Sequence, residues 1–168
     1  MKFNSFEQLL ILELQDLYSA ENQLVEALPK VISAVSSPEL KEGLKKHLAE
    51  TKQQVKRLET ALGNLQAEFE GETCKGMKGL ISECDEILKC HAPAVLKDAG
   101  IIGACQKIEH YEIAGYGTAK AHAKLLEMDE IADLLDDSLD EEAAADKKLT
   151  KIAEGTMFTS GINKQASR

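Results

Sequence analysis

The sequence is poor in aromatic residues: it contains no tryptophan, and Phe, Trp and Tyr together make up 4% of its 168 residues. β-Sheet proteins favour aromatic and β-branched residues, whereas this chain is rich in Ala, Leu, Glu and Lys, which favour helices. With 43% hydrophobic and 29% charged residues, the composition is that of a folded chain of one-domain size. The sequence therefore predicts an all-α fold and argues against a β-sandwich.

An excess of basic residues is also lacking. Lys and Arg number 20 against 29 Asp and Glu, which gives a formal net charge of -9. Nucleic-acid phosphates and anionic membrane surfaces both attract basic protein surfaces. We therefore expect neither nucleic acid nor a membrane among the partners of this protein.

Signals for export, membrane insertion and zinc-finger formation are missing as well. The apolar run at residues 9–12 is bounded by Glu7 and Glu13, so it is too short for the core of a signal peptide. No apolar run approaches the ~20 residues that a membrane span needs. The four cysteines have no Cys-x-x-Cys spacing, which favours reduced thiols over a zinc finger. We expect a cytoplasmic protein.

Apolar residues recur at helical spacing in four long stretches. A capping box of Ser5 and Gln8 begins the first, and Ser37 followed by Pro38 begins the second. The joints after the first and third stretches are short, but the joint after the second is long and contains a short helical pattern. This connectivity predicts a ferritin-like four-helix bundle over residues 1–155, with a short extra helix in the crossover between helices 2 and 3. A polar, loosely held C-terminal tail is expected over residues 156–168.

Carboxylates interrupt the apolar stripes near the middle of the helices. Burying such a charge costs several kcal/mol unless a positive group meets it, and no Lys or Arg falls in the middle of any stripe. An external cation is the simplest way to neutralise carboxylates that converge in a bundle core. The pattern predicts a site for two divalent metal ions, with six candidate ligands: Glu21, Glu50, Glu109, Glu112, Glu142 and Asp146.

Three further polar residues lie beside these carboxylates. His47 is interpreted as a buried histidine that contacts a ligand, with direct binding of the ion as the alternative, and Gln54 is a further candidate ligand. Tyr116, one turn after Glu112, is interpreted as a core residue whose hydroxyl bonds a carboxylate, with an oxidisable or proton-donating role as the lesser alternative. His110 points away from the stripe and is interpreted as a surface residue.

Several segments resemble the family of bacterial ferritin-like stress proteins typified by YciF. They are Leu-Tyr-Ser-Ala-Glu at 17–21, His-Leu-Ala-Glu-Thr at 47–51, Ile-Glu-His-Tyr-Glu-Ile at 108–113, Glu-Glu at 141–142 and Asp-Lys-Lys-Leu-Thr at 146–150. The resemblance extends over about residues 6–153. It implies a cytoplasmic four-helix bundle, a homodimer, a dinuclear iron site and expression under stress, without an established reaction.

The sequence departs from the ligand pattern of the wider di-iron class, in which two helices carry Glu-x-x-His. Three residues after Glu50 stands Gln53, and three residues after Glu142 stands Ala145. Glu112 and Asp146 are the candidate replacements. An oxygen-rich ligand set accepts manganese as well as iron, so manganese is the alternative to two iron ions.

Two functions are consistent with these features. The favoured one is a di-metal carboxylate protein of the stress response that handles iron or a small oxidant, oxygen or peroxide, with oxidase or peroxidase activity as a candidate. The alternative is a non-catalytic helical stress protein in which the metal is structural and the protein acts by association.

Overall fold

The computed structural model describes residues 3–168, and within this range it contains helices and no strand beyond one isolated bridge between Gly155 and Ser160. Four long helices form a bundle and a shorter one lies in the crossover, so the predicted all-α fold and the extra helix are confirmed. None of these helices combines the length and the hydropathy that a bilayer-spanning segment needs. The elements are α1 (Phe6–Ala34), α2 (Pro38–Asn64), α3 (Lys75–Lys89), α4 (Ala94–Leu125), α5 (Asp129–Glu154) and α6 (Ile162–Ala166).

The predicted helix starts are confirmed by their caps. The Ser5 side chain accepts a hydrogen bond from the backbone N–H of Gln8, and the Ser37 side chain accepts one from Leu40. Both bonds satisfy N–H groups that have no partner within the helix. Helix α1 continues through Pro29 to Ala34.

The helices are connected as in ferritin-like bundles. At one end of the bundle, the C-terminal halves of α1 and α5 pack with the N-terminal halves of α2 and α4. At the other end, the N-terminal halves of α1 and α5 pack with the C-terminal halves of α2 and α4. Helices α1 and α2 are therefore antiparallel, as are α4 and α5, while α2 and α4 run in the same direction. The crossover that contains α3 returns the chain along the outside of the bundle, where α3 contacts α1 and α4.

The apolar core is divided into two clusters by a layer of polar side chains. One cluster contains Leu24 and Leu44, and the other contains Leu17 and Leu58. Each of the four long helices passes from one cluster to the other near mid-length. Eight of the nine buried polar or charged residues lie at this crossing. We call them the polar layer: Glu21, His47, Thr51, Gln54, Glu109, Glu112, Ser138 and Glu142.

The residues after α5 fold back onto the bundle, where a loosely held tail was expected over residues 156–168. The short helix α6 contacts α4 and α5, and Ile162 is buried in the core. Gly155 adopts a φ of 86°, and a Cβ there would lie 2.4 Å from the backbone N of Gly161. Two closely approaching glycines thus make the reversal that brings an apolar residue back to the bundle.

Candidate metal centre

Four side chains from three helices bring potential metal ligands together in the polar layer. His47 comes from α2, Glu109 and Glu112 from α4, and Glu142 from α5. Each contributes one ligand atom, and these atoms all lie within 4.8 Å of one another. The three-residue spacing of Glu109 and Glu112 places both on the same face of α4. All four are buried, so this cluster lies in the interior of the bundle.

Glu21 of α1 supplies a further buried carboxylate next to this cluster. Its Oε1 accepts a hydrogen bond of 2.5 Å from the Tyr116 hydroxyl. Its other oxygen, Oε2, is buried without a partner. The interpretation of Tyr116 as a core residue bonded to a carboxylate agrees with this contact.

Many polar atoms of the polar layer have no hydrogen-bond partner. Leaving a buried polar atom unpaired typically costs ~1–3 kcal/mol, and more for a charged group. The shortest approach between His47 and Glu109 is 3.5 Å, which is too long for a good hydrogen bond. The buried atoms of the layer without partners are Glu21 Oε2, Gln54 Oε1, Glu109 Oε2, both oxygens of Glu112, Glu142 Oε2 and both ring nitrogens of His47.

The carboxylates also raise one another's pKa. Burial is the main cause that raises the pKa of Glu21, Glu109 and Glu112 well above the ordinary value. The charge of Glu142 raises the pKa of all three further, and Glu21 acts in the same direction on Glu109 and Glu112. In the absence of a cation, the carboxylates of this layer therefore keep their protons to a higher pH than ordinary surface carboxylates do.

No Lys or Arg is buried among residues 3–168, so the chain itself provides no ammonium or guanidinium inside the layer. At the edge of the polar layer, the guanidinium of Arg57 donates two hydrogen bonds to the carboxylate of Glu141, of 2.7 and 2.8 Å. The amide nitrogen of Gln54 donates to both Glu141 and Glu142. A chain of contacts therefore runs from Arg57 through Glu141 and Gln54 to the ligand cluster.

This chain of contacts adds to the sequence prediction for Gln54. Glu141 is half-buried and paired with Arg57. Gln54 was expected only as a candidate ligand, and its amide holds Glu142. Sequence periodicity did not reveal the pairing because it depends on how α2 and α5 are rotated against each other.

Two candidate ligands lie at the margin of the cluster. Glu50 pairs with Lys46, one turn earlier on α2, and its side chain is 21% exposed. Asp146 accepts a 2.9 Å hydrogen bond from Gln106, and its side chain is 19% exposed. The structure thus brings His47, which was the less favoured ligand, into the cluster in place of these two carboxylates. His110, interpreted as a surface residue, is 69% exposed.

Sequence comparisons identify relatives along the whole chain. Residues 5–166 match a family described as a domain of unknown function, DUF892. Protein YciF of Escherichia coli strain K12 is 37% identical over 167 residues, which cover 99% of this chain and 98% of that protein.

Solved structures agree with this assignment. The crystal structure of the E. coli stress protein YciF matches with a TM-score of 0.86 and 38% identity, over 89% of this chain and 94% of that one. YcfI from Rhodopseudomonas palustris, described as a candidate structural protein, gives a TM-score of 0.86 and 41% identity, over 89% and 96% of the two chains. A Xanthomonas campestris protein at 22% identity, with a TM-score of 0.71 over 88% and 89% of the chains, shares the fold. The chain therefore belongs to the DUF892 family, the family of the stress protein YciF.

Proposed function

We propose that this protein holds two metal ions, iron in first place, in the polar layer and handles iron or a small oxidant during stress. The observation that carries this proposal is the cluster of four ligand atoms within 4.8 Å of one another, buried and without a buried Lys or Arg among residues 3–168. The unpartnered carboxylate oxygens and one ring nitrogen of His47 fit metal ions, because ions bound in the layer would contact these atoms directly.

The charge of the layer supports two divalent ions rather than one. Glu21, Glu109, Glu112 and Glu142 carry four negative charges when ionised, and two divalent ions would balance them. His47 and the three carboxylates of α4 and α5 would hold one ion. Glu21, with the remaining carboxylate oxygens, would hold the second. A mixed oxygen and nitrogen donor set suits iron and accepts manganese.

When bound, two ferrous ions would supply two electrons, enough to reduce one hydrogen peroxide molecule to two waters with the uptake of two protons. The protein's own residues provide the setting for that chemistry. Apolar clusters border the layer on both sides, and the hydroxyl of Tyr116 fixes the orientation of Glu21. Gln54 holds Glu142 in the same way. Such supporting contacts orient metal ligands and tune their affinity.

The biological setting follows from the family. The E. coli relative is described as a stress protein, and the same role is proposed for this chain. The family resemblance also implies a homodimer in the cytoplasm, and both remain predictions.

A second candidate function is a structural one, favoured by the description of the R. palustris relative as a candidate structural protein. In that case the metal would hold the four helices together without reacting with oxidants. The two functions differ in what happens when oxidant is added to metal-loaded protein, because only the first consumes it.

The test is anaerobic titration of the purified protein with ferrous iron, followed by visible spectra before and after stoichiometric peroxide. The proposed function predicts about two iron ions per chain and a new absorption band from ferric iron as peroxide is consumed. Glu109→Ala should lose iron, whereas Glu86→Ala, a change of an exposed residue on α3, should not. Iron that is bound but inert to oxygen and peroxide would favour the structural role, and wild type without bound iron would refute both.

A further inference from the structure

A small cavity of about 50 Å³ opens between α2 and α5 and reaches the candidate metal centre. Two of the cluster residues, His47 and Glu109, form its inner end. His47 is 5% exposed and both of its ring nitrogens lack a partner, so an unsatisfied polar group faces this space. We call this space the α2–α5 cavity. It is the cavity that joins the cluster to the protein surface between these two helices.

Small residues keep the α2–α5 cavity open. Ala145 lines it, and this residue occupies the position where a Glu-x-x-His motif beginning at Glu142 would place an imidazole. Gly43 lines it from α2, inside a helix, where glycine costs ~1 kcal/mol relative to alanine. A Cβ at Gly43 would meet the side chains of Lys148, at 3.5 Å, and Ile152, at 3.7 Å, and both are ordinary contacts. Packing therefore does not require glycine there, whereas an open cavity benefits from it.

The mouth of the α2–α5 cavity is positively charged. Lys46 is paired with Glu50, whereas Lys148 has no carboxylate partner among residues 3–168. This charge disfavours the entry of metal cations by this route. The inner wall is mainly apolar, formed by residues such as Leu44, Leu149 and Ile152. The space holds only a few water-sized molecules, because one water needs roughly 10–15 Å³ by this measure.

We propose that the α2–α5 cavity is the entry pocket through which a small uncharged oxidant, dioxygen or hydrogen peroxide, reaches the metal centre at His47 and Glu109. The size admits a molecule of two heavy atoms and excludes organic substrates. The inference rests on the proposed function, because an oxidant has a target only if the polar layer holds metal.

The first test does not depend on metal or activity. A crystal of the wild-type protein pressurised with xenon should show xenon in the α2–α5 cavity, since xenon binds against apolar side chains and the inner wall of this cavity is mainly apolar. Ala145→Leu should abolish that density, because the longer side chain fills the space, and Gly43→Ala should reduce it. Ala121→Leu, an equal change at an exposed position of α4, should leave it unchanged. Wild-type crystals without xenon at this position would overturn the inference.

The second test follows the oxidation of anaerobically iron-loaded protein by stopped-flow absorbance, with dioxygen and with hydrogen peroxide in separate runs. Ala145→Leu should slow oxidation at least tenfold with the oxidant that uses the pocket, while the amount of bound iron stays that of the wild type. Gly43→Ala should show a smaller effect, and Ala121→Leu none. Unchanged rates with both oxidants in a variant that excludes xenon would overturn the entry pocket and leave the metal centre standing. Wild-type protein that binds no iron would instead refute the proposed function, and the inference with it.

Discussion

Glu112→Gln should change the stability of the metal-free and the metal-loaded protein in opposite directions. Glu112 is fully buried, both of its oxygens lack partners, and burial together with the charges of Glu21 and Glu142 raises its pKa well above the ordinary value. Glutamine has the same shape without the charge. In the metal-free protein the substitution removes a carboxyl group that is costly to bury, whether as an ion or by taking up a proton on folding, whereas in the loaded protein it removes a ligand.

The expected magnitudes follow from these two roles. Replacing a poorly compensated buried charge stabilises proteins by about 1–4 kcal/mol, and we expect the lower half of that range because the new amide must find acceptors. For a domain of this size each kcal/mol moves the melting temperature by about 2–4 °C, so metal-free Glu112→Gln should melt about 2–10 °C higher than wild type. Loss of a ligand should weaken metal binding at least ~100-fold, which removes about 2.7 kcal/mol of metal-dependent stabilisation.

Differential scanning fluorimetry of chelator-treated protein, with and without added manganese or ferrous iron, measures both effects. Glu86→Gln, on the exposed side of α3, is the matched control and should change neither value by more than about 1 °C. The reasoning would be refuted if metal-free Glu112→Gln were less stable than wild type, or if the metal stabilised the variant as strongly as the wild type.

Three further outcomes follow from other contacts. Tyr116→Phe removes the hydroxyl that bonds Glu21, so calorimetric titration should show metal affinity reduced about 10–100-fold, with the fold retained by circular dichroism; unchanged affinity would show that the hydroxyl plays no part. Asp98→Ala removes a carboxylate that accepts hydrogen bonds from the backbone N–H groups of Ser36 and Ser37 and from the Ser36 hydroxyl. Urea unfolding should therefore show a free energy of unfolding lower by about 2–4 kcal/mol, with bound metal per folded chain unchanged. The raised pKa values of the buried carboxylates mean that the folded metal-free chain binds more protons than the unfolded one. The contribution of these groups to stability should therefore be complete below about pH 4.5 and be lost as the pH rises above it, and the loss should be much smaller with metal present; a metal-free protein that gains stability as these groups ionise would contradict the charge argument.

The sequence was sufficient to predict the bundle and most of the polar layer. Helical periodicity places Glu21, Glu109, Glu112 and Glu142 on apolar faces, and a buried carboxylate is so unfavourable that its position on such a face is informative in itself. The crossover between helices 2 and 3 could be predicted because the connection between these helices is long and the other two connections are short.

Details that depend on the rotation and depth of the helices could not be read from the sequence. Glu50 and His47 lie three residues apart on α2, and a small rotation of the helix decides which of them faces the cluster. The pairing of Arg57 with Glu141 likewise requires the relative placement of α2 and α5. The carboxylate of Asp98 caps the turn before α2, and no spacing in the sequence marks this contact. Tertiary packing settles each of these choices.

The central claim is that the polar layer binds two metal ions, and anomalous diffraction tests it most directly. Crystals of the protein soaked with manganese, with data collected on both sides of the manganese absorption edge, would locate every bound ion. The account predicts two peaks inside the bundle, one bounded by His47, Glu109 and Glu142 and the other by Glu21 and Glu112. Peaks confined to the acidic surface, with none in the polar layer, would contradict it.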